Sequence, residues 1–157
     1  MARFFLDLEY TNGNYYLTDI IEIALFSDIS GFTFHTYVKI DNCLPQFVRK
    51  LTGITDKMLQ DIGLPFPIAF RRMIEFIRGE LMDNGQGDSP VIVAHGGVQQ
   101  DFPILLANCV RYNIDYLFLH QCQFIDSVVK LSENGYERPG LDTFRRPGDK
   151  KHFFFFI

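Results

Sequence analysis

The chain has no tryptophan and only three cysteines among its 157 residues. Cys43, Cys109 and Cys122 are odd in number and none forms a Cys-x-x-Cys pair. That pattern argues against both a disulfide framework and a cysteine-based zinc site. No apolar run is long enough to span a bilayer, and the first residues lack the basic flank and cleavage pattern of a secretory signal. The expectation is an intracellular protein without a membrane segment. Positive charge is also scarce. The formal net charge is −4, which argues against a broad basic surface for duplex DNA. It leaves open a narrow site in which metal ions offset acidic ligands.

Apolar residues are plentiful, at 47% with seventeen Phe, so the chain is globular rather than disordered. A length of 157 residues fits one domain over 1–157, able to bury roughly two-thirds of its unfolded surface. Along residues 3–9, Phe5, Asp7 and Glu9 alternate with Phe4, Leu6 and Leu8, as in a strand. "IIEIALFS" (20–27) is nearly continuous in apolar residues and reads as a central strand, and "GFTFHTYVKI" (31–40) alternates as a third. Asn12-Gly13 and the Asp28–Gly31 stretch mark two hairpin turns, which makes this opening sheet antiparallel.

The period then changes. Residues 44–63 carry two short helical pieces broken at Gly53, with Thr55 as an N-cap. In 65–82, Phe66, Ala69, Phe70, Met73, Ile74, Ile77 and Leu81 form one helical stripe. A polar loop (83–90), a short buried strand (91–95) and a helix (101–112) follow, with Pro103 tolerated in that helix's first turn. Residues 116–126 hold one strand or two, and a helix begins after the cap Asp126 or Ser127. The order implies an α/β fold, a mixed sheet with helices packed on it.

Two carboxylates inside the first strand need explaining. Asp7 and Glu9, at i and i+2, point to one face with about 6–7 Å between their Cα atoms. At an effective dielectric of 20 they repel by roughly 2–3 kcal/mol. Arg3 is the strand's one basic residue, so a divalent cation with hard-oxygen preference is the natural partner. The alternative is a wet face on which both acids are solvated. Asp101 poses a similar choice. It follows "VIVAHGGVQQ" and opens a helix, where the dipole favours an anion. It is either an ordinary helix-start acid or a third member of the acidic group.

Taken together, these stretches resemble the DEDD superfamily of 3′→5′ exonucleases, the DnaQ-like group on the ribonuclease H-type fold. "FLDLEYTNGNYYLTDIIEIALF" resembles its first motif, Asp-x-Glu with a Thr two residues on (Thr11). "LTGITDKML" (51–59) is similar to the segment that follows, and "AHGGVQQDFPILLANC" to the second motif. The last is most like the TREX-type branch, with Gly96 where Asn is usual. The resemblance covers roughly residues 3–146. It implies the ribonuclease H-like exonuclease fold, three antiparallel N-terminal strands and then further strands, flanked by helices. It also implies that Asp7, Glu9 and Asp101 bind Mg²⁺ or Mn²⁺ at a two-metal site cutting single-stranded DNA or RNA at its 3′ end. Leu8, Tyr10 and Thr11 would cradle the terminal nucleotide, and Ile54 would wedge its base. TREX-type enzymes are often dimers, so a homodimer comes with the resemblance.

One departure stands out. The family's third motif, HxAxxD, supplies a general-base His and a fourth acid, and this sequence contains no such string. Five residues beyond His152 lies Ile157. Asp126 reads as a helix cap, and Asp142 and Asp149 as loop acids. The expectation is a domain truncated or degenerate at its C-terminal end, impaired as an enzyme or retained as a catalytically silent binding module. A coding-sequence shift at the Phe run would also produce it. His95 reads as buried or capping, and His35 and His120 as structural or surface residues. Arg138, Arg145, Arg146, Lys150 and Lys151 form a solvated basic tail or steer a strand. "FFFFI" is either buried or an aggregation liability.

Overall fold

The computed structural model describes residues 1–85 and 89–133. Five strands, β1 (Arg3–Tyr10), β2 (Ile20–Ser27), β3 (Thr33–Tyr37), β4 (Val91–Ala94) and β5 (Gln123–Asp126), form one sheet in the order β3-β2-β1-β4-β5. β1 pairs antiparallel with β2 and parallel with β4, so the sheet is mixed and β1 is its centre. The helices are α1 (Gln46–Thr52), α2 (Asp56–Ile62), α3 (Phe66–Asp83), α4 (Asp101–Arg111) and α5 (Ser127–Glu133).

The alternation in β1 divides it as the pattern requires. Phe4, Leu6 and Leu8 are 0%, 5% and 4% exposed and enter the main core, while Phe5, Asp7 and Glu9 take the other face. The main core is closed by α3 and α4. All seven residues of the predicted α3 stripe are buried, the six larger than Ala69 each contributing about 1.5–3 kcal/mol by removal from water. A second, smaller core of Ile21, Ile40, Leu44, Val48, Ile54 and Leu59 forms beneath α1 and α2. α1 ends at Gly53, and the Thr55 hydroxyl accepts from the Met58 amide to cap α2.

Two details differ from the sequence expectation. The first hairpin does not turn at Asn12-Gly13; Gly13 does not adopt positive φ. Asn12 Oδ1 accepts from the Asn14 amide, and the chain reverses over 14–17, where the Leu17 amide donates to Asn14 O at 3.0 Å. Side-chain capping by Asn won over the two-residue turn. Of the one strand or two expected in residues 116–126 there is one, β5, preceded by a 3-10 turn (Leu117–Gln121). β3 is shorter than 31–40 and ends at Tyr37. Asp142, Asp149, His152, the basic tail Arg138–Lys151 and the Phe run lie outside the described residues, as does part of the 83–90 loop.

Candidate active site

β2 carries a residue that sequence reading passed over. Glu9 pairs directly with Glu22, and directly opposed residues share a face of the sheet. A register shift at Glu9/Tyr10 gives β2 an extra residue, Ile21, which drops into the second core beside Tyr37. Beyond this bulge Glu22 lies with Asp7 and Glu9. It is 2% exposed and its Oε1 pairs with His35 Nε2 on β3. The visible signal was one acid in an otherwise apolar central strand. Its meaning depended on a register that the bulge sets.

Asp101 reaches the same place from the far side of β1. At the first turn of α4 it is 6% exposed, and its Oδ1 accepts from the Leu8 amide at 3.1 Å. Residues 93 positions apart are thereby joined at the centre of the sheet. Two glycines permit the approach. Gly96 has φ 70°, a left-handed conformation that Gly and Asn both adopt, which accounts for Gly at the position where the family carries Asn. A Cβ on Gly97 would come within 2.7 Å of the Phe102 ring and of Ala94 Cβ. Neither Asp7, Glu9 nor Asp101 has a Lys or Arg ion pair among the described residues.

The electrostatics follow. Burial, then the charge of Glu22, pushes Asp7 up to about 6. Burial, then Asp7, Glu22 and Asp101, pushes Glu9 up to about 7. Asp101 rises to about 7 through burial and Asp7, against the lowering effect of the Leu8 amide. All three carboxyls stand above the usual carboxylate range because their charges are desolvated and adjacent. By contrast, burial lifts the Cys109 and Cys122 thiols to about 12 and about 11, so neither is a ready nucleophile.

The other predicted residues divide. Tyr10 lines a pocket of about 500 Å³ with Gly13, Tyr15, Gln99, Gln100 and Ile104. Its hydroxyl donates to Gln100 Oε1 at 2.9 Å, and the Tyr15 hydroxyl donates to Gln99 O at 2.5 Å. Leu8 and Thr11 side chains are buried, Thr11 Oγ1 accepting from the Asp19 amide. Ile54 is 0% exposed inside the second core and offers no surface to a base in this conformation. His95 Nδ1 lies 3.0 Å from Ser127 Oγ, a half-buried structural contact.

A cation can be tested against this donor set by chemistry and by closeness. Asp7, Glu9 and Asp101 are hard oxygen ligands, raised first by burial and then by neighbouring acids, which suits Mg²⁺ or Mn²⁺. Among the described residues, however, no three His, Cys, Asp or Glu side chains converge tightly enough to hold one ion. The charge fits a cation; the rotamers are not drawn together.

Sheet order and comparison agree on the class. An exonuclease family model, RNase_T, matches residues 4–147, and the chain belongs to that family, within the DEDD superfamily. Over 78 residues it is 35% identical to the PolC-type DNA polymerase III of Mycoplasma genitalium, covering 50% of this chain and 5% of the polymerase. Its fold is the ribonuclease H-like exonuclease fold of Escherichia coli exonuclease I. A zinc-bound complex of that enzyme with single-stranded DNA superposes at TM-score 0.66 with 18% identity, over 84% of this chain and 29% of the enzyme. A complex with a dA13 oligonucleotide gives the same values. The chain thus spans a small fraction of the polymerase and under a third of exonuclease I. Among the described residues no helix is long and apolar enough to cross a membrane.

Proposed function

We propose that this chain is a metal-dependent 3′→5′ exonuclease that removes nucleotides from single-stranded or frayed nucleic-acid ends, and that residues 1–157 form one exonuclease-like domain. The observation that carries this reading is that Asp7 and Glu9 share one face of the central strand of an exonuclease-family sheet while Asp101 bonds to the Leu8 amide between them, three buried or half-buried carboxylates without a Lys or Arg ion pair among the described residues. Asp7 and Glu9 would hold one Mg²⁺ or Mn²⁺ ion, and Asp101 would help hold a second. When bound, the ions supply Lewis acidity at the scissile phosphate. Tyr10, which lines the pocket, and the backbone around Leu8 would receive the terminal nucleotide. The order "AHGG…DFPILL" favours the TREX-type branch. A homodimer is the assembly that likeness carries, and an intracellular location is part of the same proposal.

A second reading has an observation of its own. The sequence contains no HxAxxD string, and among the described residues no three His, Cys, Asp or Glu side chains are grouped to hold a metal ion. A catalytically silent module that still binds nucleic acid or protein is the corresponding alternative. The deciding assay supplies end-labelled single-stranded DNA and RNA with Mg²⁺ or Mn²⁺, beside an Asp7→Ala control. Laddering from the 3′ end that disappears in the control supports the exonuclease, at a rate well below that of a four-acid enzyme. Retained binding in a mobility shift with no laddering supports the silent module.

A further inference from the structure

We propose that Asp126 is a positioning residue for Asp101, holding the turn that presents it to β1. The proposal rests on the reading above, in which Asp101 works at the metal site. Asp126 is the last residue of β5 and 7% exposed. Parallel pairing sets it beside Ala94, the last residue of β4. The chain leaving β4 therefore wraps around its carboxylate. Oδ1 accepts from the Gly96 amide at 3.0 Å and from the Val128 amide at 2.9 Å; Oδ2 accepts from the Val98 amide at 3.0 Å. The helix cap expected from sequence is one of these three bonds. The other two fix the turn between β4 and α4.

The turn is braced along its length by β5 and the first residue of α5. His95 meets Ser127 at one end, and Phe102 packs edge-on against Phe124 at the other, with ring centroids 4.9 Å apart. Between them Gly96 and Val98 hang from a single carboxylate. Three residues beyond Val98 the chain reaches Asp101 and its bond to the Leu8 amide. The site thus has two layers, with Asp101 against β1 and Asp126 behind the turn.

A carboxylate is the group this position requires. Three converging N–H donors need an acceptor-only partner with two oxygens, and such charge-assisted bonds offset the burial of the charge. An amide would turn its NH₂ toward Gly96 or Val98 and remove the acceptor from one of those part-buried bonds. The turn would then relax, carrying Asp101 away from Leu8 and from Asp7.

The test uses the full chain, with Asp126→Asn as the variant. Amide hydrogen exchange at Leu8 reads the position of Asp101 without reference to activity, and Mn²⁺ affinity is measured by electron paramagnetic resonance of the free ion. The expected result is exchange at Leu8 faster by roughly tenfold or more, and Mn²⁺ affinity weaker by about 10–100-fold, as when an outer partner of a ligand is lost. In oligonucleotide turnover, kcat falls and KM holds. The proposal is overturned if exchange quickens only at Gly96, Val98 and Val128 while Leu8 and Mn²⁺ affinity keep their wild-type values. Should Asp126→Asn not fold, Asp126→Ser keeps one capping oxygen for Val128 and is read by the same two measurements. A wild-type chain that binds no Mn²⁺ and cuts nothing defeats the exonuclease reading, whereas Leu8 exchange still decides whether Asp126 positions Asp101.

Discussion

The two faces of β1 are built to opposite ends. One face places Phe4, Leu6 and Leu8 in the main core. The other places Asp7 and Glu9 against Glu22 and beneath Asp101, with every acid lifted or lifting its neighbour. The same strand therefore stabilises the fold through one face and destabilises it through the other. Such a conflict persists where strain has a use. Removing the charge should separate the two effects. Asp7→Asn is expected to lower exonuclease turnover by roughly 10³-fold or to background, because metal-based charge stabilisation is worth several kcal/mol and 1.36 kcal/mol is tenfold. The same change is expected to raise stability without cation by up to about 3 kcal/mol, the equivalent of moving a carboxyl from 3.8 to about 6. Turnover by end-label gel and unfolding in urea check the pair. An Asp7→Asn chain that is both inactive and less stable would show that the acid supports the fold.

Leu6→Ala probes the apolar face. Leu6 is 5% exposed and belongs to the main core with α3 and α4 residues. Truncation is expected to cost about 2–5 kcal/mol in urea unfolding, with any loss of turnover recovered at lower temperature as the folded fraction recovers. A permanent loss in folded protein would mean that the two faces are not separable.

The third prediction follows the protons. Asp7, Glu9 and Asp101 bind protons more tightly folded than unfolded, at about 6, 7 and 7 against ordinary values of 3.8, 4.5 and 3.8. Between about pH 4 and pH 7 the native state therefore holds more protons, and stability falls as pH rises through that window. Without divalent cation the melting temperature is expected to drop from pH 5 to pH 8. Adding Mn²⁺ is expected to raise it more at pH 8, where the acids are ionised, than at pH 5. An equal rise at both values would detach the acids from the cation.

The contrast between the faces was visible in the sequence because it depends on local alternation alone. The same holds for the α3 stripe, the break at Gly53 and the Thr55 cap, each written within a few residues. What was hidden depends on pieces far apart in the chain. Glu22 joins the acids through the pairing register and the Ile21 bulge. Ile54 is withdrawn because the second core needs it. The turn at 14–17 replaced Asn12-Gly13 because two Asn side chains cap the intervening amides. Asp126 looked like a helix cap because its other two donors come from a turn 28 and 30 residues earlier.

Glu22 supplies the finest test of the acidic face. It is buried, shares the face of Glu9 and raises both Asp7 and Glu9, yet its own Oε1 is taken by His35. A residue so engaged acts on the site through its charge. Glu22→Gln is therefore expected to lower the pH at which Asp7 and Glu9 ionise and at which Mn²⁺ binding sets in, while turnover at pH 8 changes by no more than about tenfold, the smaller end of effects from groups behind a metal ligand. Mn²⁺ binding followed against pH distinguishes the roles. A downward shift of the midpoint with affinity retained at pH 8 fits a neighbouring charge. Loss of Mn²⁺ binding comparable with Asp7→Asn would instead put Glu22 in the ligand set, making the acidic face a four-carboxylate site drawn from β1, β2 and α4.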